Sequence, residues 1–516
     1  MHTVIMFLRY RHKFFILCVF LLFVSLLCHP CFSQPHVPSL RFLGAAQMVG
    51  GSSCLIDTGR YRILIDFGLF FGSEYQGQND RIGFDPKTID FVLLTHAHVD
   101  HAGRIPLLYK KGFKGSTIGT EATKSLSRIT LKMSLDLEKK QGKTLYSADD
   151  LKRMMKKFMV VPYEERISLN ADVSVRFRNS GHIMGASLIE LWVRSADGVV
   201  KIVVTGDMGN ENLPLLMPPE IIREADYVVV ESTAGPIRRD YFGYAAFGKE
   251  IQKTLEMGGS VLLPAFVLDR TQTLIFVIGK LKEQGVIPRE TPVYVDSSTA
   301  KEITKIYRKY SDNFRPEARK HVSFCGEPLT FPHLYEVSSR QALKMHSRGK
   351  PAIYVTSSAM LDHANAPRHL EKMIEDPRNL LAIVGWQAPD STGWKLQQGA
   401  RIIRFPIEES RKGGMRIRYV DKAVKMRIKT FDIFSYHADG CQILKWLSNF
   451  PKLKGVFVVH GNRDNTLRMA ELIASRLGFK ASAPGRGDDF TLSAQAQDYE
   501  RIQIHDICAD MEISEK

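Results

Sequence analysis

The sequence predicts a layered α/β protein, and three observations carry that prediction. Short apolar runs separated by glycine turns recur through the first 235 residues, as strands do. One of them, "IDFVLLT" (Ile89 to Thr95), is apolar throughout its centre, like a strand buried on both faces, and leads straight into "HAHVDH" (His96 to His101). From about residue 236 helical and strand patterns alternate, which is the pattern of a parallel sheet separate from the first strands.

Taken in order, "LRFLGA", "SSCLIDT" and "YRILIDFG" read as three short strands, and residues 120–160 as basic helix. "VSVRFRNSGHIMGASLIELWV" reads as strand, loop and strand, with His182 in the loop. "VKIVVTGDMG" is a strand ending at Asp207, and "ADYVVVESTAG" one ending at Glu231. "GGSVLLPAFVLDRTQTLIFVIGKL" reads as strand, turn and helix, and "TPVYVDSSTAKEITKIYRKY", "KPAIYVTSSAM" and "NLLAIVGWQ" repeat the theme. "DIFSYHADG" and "LKGVFVVHGN" then restore strand-to-histidine junctions at His437 and His460, and the tail past about 485 is polar and carries no signal. Polar groups just beyond strand ends are where layered α/β proteins place their sites.

A chain of 516 residues, 44% hydrophobic, can bury a large core in several domains. The formal charge of +16 favours an anionic partner, nucleic acid or an acidic membrane surface. Of seven cysteines only Cys28 and Cys31 show C-x-x-C spacing, and no second pair exists to build a zinc ribbon. No disulfide framework is expected, and Cys54, Cys325, Cys441 and Cys508 read as core residues. At the N-terminus "RYRHK" precedes the apolar run Phe14 to Cys28, the layout of a secretory signal, with Cys31 and Ser33 suiting a cut before Gln34. The run is short against the roughly 20 residues of a spanning helix. Residues 1–33 are therefore expected to be a signal peptide or membrane anchor, making the protein exported (periplasmic or extracellular) or membrane-attached. An over-extended gene start would make it cytoplasmic.

The chemistry lies in His96, His98, Asp100 and His101. His96 and His98, two apart at a strand end, can converge on one ion, while Asp100 and His101 on the next turn can face a second. Imidazole and carboxylate suit zinc, and manganese and iron share the ligand set. Further donors are available at His182, Asp207 and His460, with Asp207 the natural bridge because a carboxylate offers one oxygen to each metal. His321, His333, His346, His363, His369 and His505 read as ordinary core or surface side chains.

"THAHVDHAGRIP" resembles the T-H-x-H-x-D-H signature of the metallo-β-lactamase fold, and "SGHIMGAS" and "VVTGDMG" resemble its next two signatures. "VVVESTAG", "FSYHAD" and "VVHGN" resemble motifs A, B and C of the β-CASP branch, which cleaves nucleic acids and includes bacterial ribonucleases and the pre-mRNA 3′-end cleavage endonuclease subunit. "GGSVLLPAFVLDRTQ", "PVYVDSSTA" and "GWQAPDSTGWKLQQG" resemble parts of its inserted domain, so the likeness spans roughly residues 40–485 in order.

The resemblance implies an αββα metallo-β-lactamase sandwich, in parts 38–235 and 432–490, interrupted by an α/β β-CASP domain at 236–431 and followed by a tail at 491–516. It implies two zinc ions, one held by His96, His98, His182 and Asp207, the other by Asp100, His101, Asp207 and His460. Water activated between them would attack a scissile phosphate, with Asp100 counted among the catalytic groups. His437 would contact the phosphate and protonate the leaving oxygen, and Glu231 would orient His437 and raise its pKa. Arg270, Ser357, Ser358 and Lys395 are candidate substrate contacts in a cleft that admits a single strand. Trp386 and Trp394 could stack a base, although core packing is the commoner use of tryptophan.

Several positions depart from the family pattern. Ala234 stands for a tyrosine, Tyr436 precedes the motif B histidine, Asn462 stands for a glutamate, Asp269 stands for a glycine, and "SSAMLDHANAP" lacks its glycines. Asp269 is expected to add negative charge near the phosphate path. The first reading is a two-metal phosphodiesterase acting on single-stranded RNA. Its rivals are an exported hydrolase of another ester or phosphoester and a non-catalytic scaffold subunit. The expected partners are RNA or another phosphodiester, a membrane through the N-terminus, and a second copy of the chain.

Overall fold

The computed structural model describes residues 36–495 apart from 73–74, 76, 240, 242, 347–348 and 412–413, together with 507–508 and 511–513. Two seven-stranded sheets face each other. The first runs, in spatial order, Asp489–Thr491, Ser39–Gly44, Ser53–Asp57, Arg62–Ile65, Phe91–Leu93, Ser116–Gly119 and Phe158–Val160. The second runs Ala481–Ser482, Gly455–Val459, Tyr227–Glu231, Gly198–Val204, Ser187–Ser195, Val173–Asn179 and Arg166–Ser168. Alternating apolar side chains from both, including Phe42, Ile56 and Ile63 opposite Phe177, Leu191 and Phe457, fill one core between them.

Helices close both outer faces. Glu121–Lys140 and Ala148–Lys156 bury Leu131, Leu135 and Met154 against the first sheet, and Gly440–Leu447 and Arg463–Leu477 bury Leu444, Leu447 and Ile473 against the second. Their starts are specified locally. Ser147 with Asp150, and Asp439 with Gln442, form capping boxes that satisfy two otherwise unpaired N–H groups each.

The third sheet is six-stranded and wholly parallel: Leu334–Glu336, Val293–Val295, Ile353–Thr356, Val261–Pro264, Leu380–Ile383 and Arg427–Thr430. Its central strands are buried along their length, as the apolar runs require. The last strand leads through the short helix Asp432–Phe434 to His437, so the C-terminal edge of this sheet is continuous with the histidine site.

Three features had no sequence signal. A long hairpin, Ile402–Arg411 with Gly414–Ala423, forms a separate two-stranded sheet. The polar segment past 485 supplies the strand Asp489–Thr491, which pairs with Ser39–Gly44. Cys441 and Cys508, read as separate core residues, are joined in a disulfide, whereas Cys54 is free and buried. Cysteines 67 residues apart carry no pairing information until the chain returns.

Candidate metal centre

The strand Phe91–Leu93 delivers the histidine cluster, and the helix Val99–Ala102 begins at His98 and turns Asp100 and His101 back across the strand ends. Asp207 follows Gly206, which adopts φ +51° and packs so tightly on Thr95 that a Cβ would stand 2.7 Å from its side chain. That contact presses Asp207 onto the cluster. His182 comes from the loop before Ser187–Ser195, and His460 from the end of Gly455–Val459. His437 is set by its neighbours, because Tyr436 accepts from the Asn210 N–H at 2.7 Å and Ala438 donates to Met208 at 2.9 Å.

Seven predicted residues meet here, in two groups. His96 Nε2 and His182 Nε2 lie 3.1 and 3.2 Å from His98 Nδ1, and 3.4 and 3.3 Å from Asp207 Oδ2. On the other side His101 Nε2 lies 3.1 Å from His460 Nε2 and 3.1 Å from Asp207 Oδ1, and His460 Nε2 lies 3.4 Å from Asp100 Oδ2. Asp207 thus turns one oxygen to each group.

The donor set fits metal ions. Four ligands around a tetrahedral zinc, at about 2.0–2.1 Å each, stand roughly 3.3–3.4 Å apart, close to the spacings found. Asp207 Oδ1, buried, has no hydrogen-bond partner among the described residues. Burial pushes His96 and His182 below the usual imidazole range and His98 down to about 3, leaving neutral rings with lone pairs to give. Burial opposes ionisation of Asp207, yet His460, His101 and His96 hold its carboxyl well below the usual carboxylate range. Burial likewise opposes ionisation of Asp100, and the hydrogen bond from His460 together with the charges of His101, His460 and His98 outweighs it.

Sequence reasoning missed an outer layer. Asp66 Oδ2 lies 2.7 Å from His101 Nδ1 and accepts from the Thr95 hydroxyl at 2.7 Å, while Thr233 Oγ1 lies 2.8 Å from His460 Nδ1. Such partners fix ring orientation and raise ligand basicity. Asp66 had the signal used elsewhere, an acidic residue directly after an apolar strand, in "RILID".

Glu231 and His437 also meet. His437 Nδ1 lies 2.9 Å from Glu231 Oε2, and the same carboxylate accepts from the Met208 N–H at 2.6 Å and the Thr233 N–H at 3.2 Å. Burial opposes a charged His437, yet Glu231 and then Asp207 raise its pKa above the usual value. His437 Nε2 is left 4.0 Å from Asp207 Oδ2, facing the first group of ligands.

Arg270 is buried, with its guanidinium 3.9 Å over the Tyr436 ring. Its Nε and Nη1 have no partner among the described residues. Ser357 and Ser358 follow the strand Ile353–Thr356, half-buried, and Lys395 is exposed on the helix Thr392–Gln397. None of the last three is drawn into the histidine cluster by a hydrogen bond or ion pair among the described residues.

Asp269 does not face a phosphate path. At φ +66° its carboxylate turns inward, accepts from the Tyr307 hydroxyl at 2.6 Å, and is almost wholly buried. The same Tyr307 oxygen accepts from the Met184 N–H at 3.2 Å, in the loop that carries His182. Burial pushes the Asp269 pKa up to about 6. A carboxyl whose folded pKa is raised contributes stability that is present below its unfolded value and is lost as pH rises through the folded one. Asp269→Asn keeps an acceptor for Tyr307, so the variant should gain on the native protein between pH 4 and 7. The gain expected in urea titrations is of order 3 kcal/mol.

Family models match in the same order as the folded parts. The metallo-β-lactamase superfamily matches residues 47–223, the Beta-Casp domain 271–396, and the Zn-dependent metallo-hydrolase RNA specificity domain 421–484. A ribonuclease of Thermus thermophilus is 32% identical over 436 residues, 84% of this chain and 95% of that one. The chain belongs to the β-CASP family of metallo-β-lactamase-fold hydrolases. An RNase J-like protein of Methanocaldococcus jannaschii is 30% identical over 455 residues, 87% of this chain and 98% of that one. Transcription termination factor FttA of Methanosarcina mazei is 28% identical over 466 residues, 88% of this chain and 71% of that protein. A crystal structure of a protein of unknown function from Enterococcus faecalis V583 shares the fold, with a TM-score of 0.51 at 14% identity, over 88% of this chain and all of that one.

As a β-CASP protein the chain is a metal-dependent hydrolase of the nuclease type. These relatives overturn the expectation of export or membrane attachment. They are named for ribonuclease and transcription-termination work, and transcription runs on the genome, which is not where an export signal leads. No helix among the described residues is long and apolar enough to cross a membrane, and the apolar run behind the expectation lies outside those residues.

Proposed function

We propose that this β-CASP hydrolase is a two-zinc nuclease that cleaves the phosphodiester bonds of single-stranded RNA. The observation that carries the reading is the split of Asp207, one oxygen to each of two donor groups, in a chain whose relatives are named ribonucleases. His96, His98, His182 and Asp207 would hold one ion, and Asp100, His101, His460 and Asp207 the other. When bound, the ions supply a nucleophile from water at neutral pH and neutralise charge building on the phosphate.

The remaining steps belong to the chain. Asp66 and Thr233 hold His101 and His460 in orientation. Glu231 accepts from His437 Nδ1, so a protonated His437 presents its Nε2 proton toward the first donor group, where a leaving oxygen can take it. Arg270, with N–H groups that meet no acceptor, is held beside Tyr436 for a substrate phosphate.

The test uses the purified protein with zinc or manganese and a labelled single-stranded RNA. Cleavage that depends on the metal, with little on a duplex of the same sequence, is expected. Turnover of bis-p-nitrophenyl phosphate without cleavage of any RNA or DNA would sink the RNA reading and leave a hydrolase of another phosphoester.

A further inference from the structure

Trp386 is the most exposed large apolar side chain among the described residues, at 70%. It is not a core residue, and exposing that much aromatic surface disfavours the free protein unless something covers it. It lies three residues past the strand Leu380–Ile383, at the C-terminal edge of the parallel sheet. Phe266, two residues past the neighbouring strand Val261–Pro264, is also exposed, at 42%. Between them is Gly385. A Cβ placed there would stand 3.7 Å from the Phe266 ring, and apart from the two adjoining residues nothing else described comes within 4 Å of it. The glycine leaves an open slot against the Phe266 ring, and the exposed Trp386 is the next residue along the chain.

The slot is braced. The buried Gln387 amide donates to the carbonyls of Ala359, Gly385 and Trp386 at 3.1, 3.1 and 3.2 Å, tying the strand-end turn to the segment after Ser358. It also lies on the route to the metal centre. Leu380–Ile383 pairs with Arg427–Thr430, the strand whose continuation reaches His437, and Phe266 is four residues from Arg270. In open parallel sheets ligands bind outside the carboxyl ends of the strands, the edge on which both rings stand.

We propose that Phe266, Gly385 and Trp386 form a stacking site for one nucleobase of the substrate strand, at a fixed number of nucleotides from the scissile phosphate. The inference rests on the RNA reading above. A single strand threading a cleft has unpaired bases with both faces free, and aromatic side chains bind any of them without reading hydrogen-bond patterns. Arg270 and the metal centre hold phosphates, whereas the aromatic pair holds a base, so the two together set the register of cleavage. The +16 charge of the chain makes a polyanion a better occupant of this edge than an apolar peptide.

The test is a register scan with the metal-loaded protein. A set of single-stranded RNAs of one length carries one abasic nucleotide, moved a position at a time, and KM for cleavage is measured for each. The native protein should show one position where loss of the base raises KM by about 5- to 100-fold. In Trp386→Ala that position should lose its effect and KM for intact RNA should rise by the same factor, while Trp386→Phe should keep the register. Gly385→Leu, which fills the slot at a position free of left-handed strain, should also erase it. A register profile unchanged in Trp386→Ala and Gly385→Leu would overturn the stacking site alone, including in favour of a protein contact at this edge. Failure of the native protein to cleave any RNA would overturn the RNA reading beneath it.

Discussion

Asp207→Ala is expected to be the most damaging single substitution in this protein. It should lower kcat/KM for RNA by at least about 1,000-fold and strip bound metal, measured by elemental analysis against the native protein. Its carboxylate reaches both donor sets, with Oδ2 3.4 Å from His96 Nε2 and Oδ1 3.1 Å from His101 Nε2. Loss of a terminal ligand such as His98 leaves three donors on its own side and the second group intact. Loss of Asp66, which acts through His101, should cost only about 10- to 100-fold in metal affinity or rate. An Asp207→Ala protein that retains the native metal content and near-native cleavage would show that the bridge lies elsewhere.

His437→Ala ranks second, with an expected loss of about 100- to 10,000-fold in kcat for RNA, the range for removal of a positioned general acid. The defect should be much smaller for bis-p-nitrophenyl phosphate, whose leaving group departs without a proton. Glu231→Gln tests the pair behind it. Glu231 raises the His437 pKa, and a general acid works below its pKa, so activity should fall as pH rises through that value. Removing the carboxylate charge should move that basic limb of the pH–rate profile to lower pH. Equal losses on both substrates, with an unmoved limb, would assign His437 to substrate positioning instead.

Much of the site was legible because its residues share one local signature. His96, Asp207, Glu231 and His460 all directly or closely follow an apolar strand, and strand ends in a layered protein point to a common edge. Asp66 obeys the same rule, but a lone Asp-Phe-Gly after a strand is also the sequence of an ordinary turn. Its partnership with His101 exists only across 35 residues of folded chain. Asp269 is a different case. The resemblance places it where a glycine borders the phosphate path, and only the left-handed backbone and the approach of Tyr307 turn it inward. For Trp386 core packing is the commoner expectation of a tryptophan after a strand, and its exposure in the fold points the other way.

By itself the sequence determined the chemistry and the layer order. Ligand types, their placement after strands and the switch to an alternating helix-strand pattern are local properties, written in periodicity and residue identity. The tertiary structure decided the meetings of distant segments that no motif carried: Asp66 with His101, Asp269 with Tyr307, the Cys441–Cys508 link, and the approach of Phe266 to Gly385. Local patterns fix a residue's own backbone and face, but a contact across the chain is the joint outcome of all the packing between its partners.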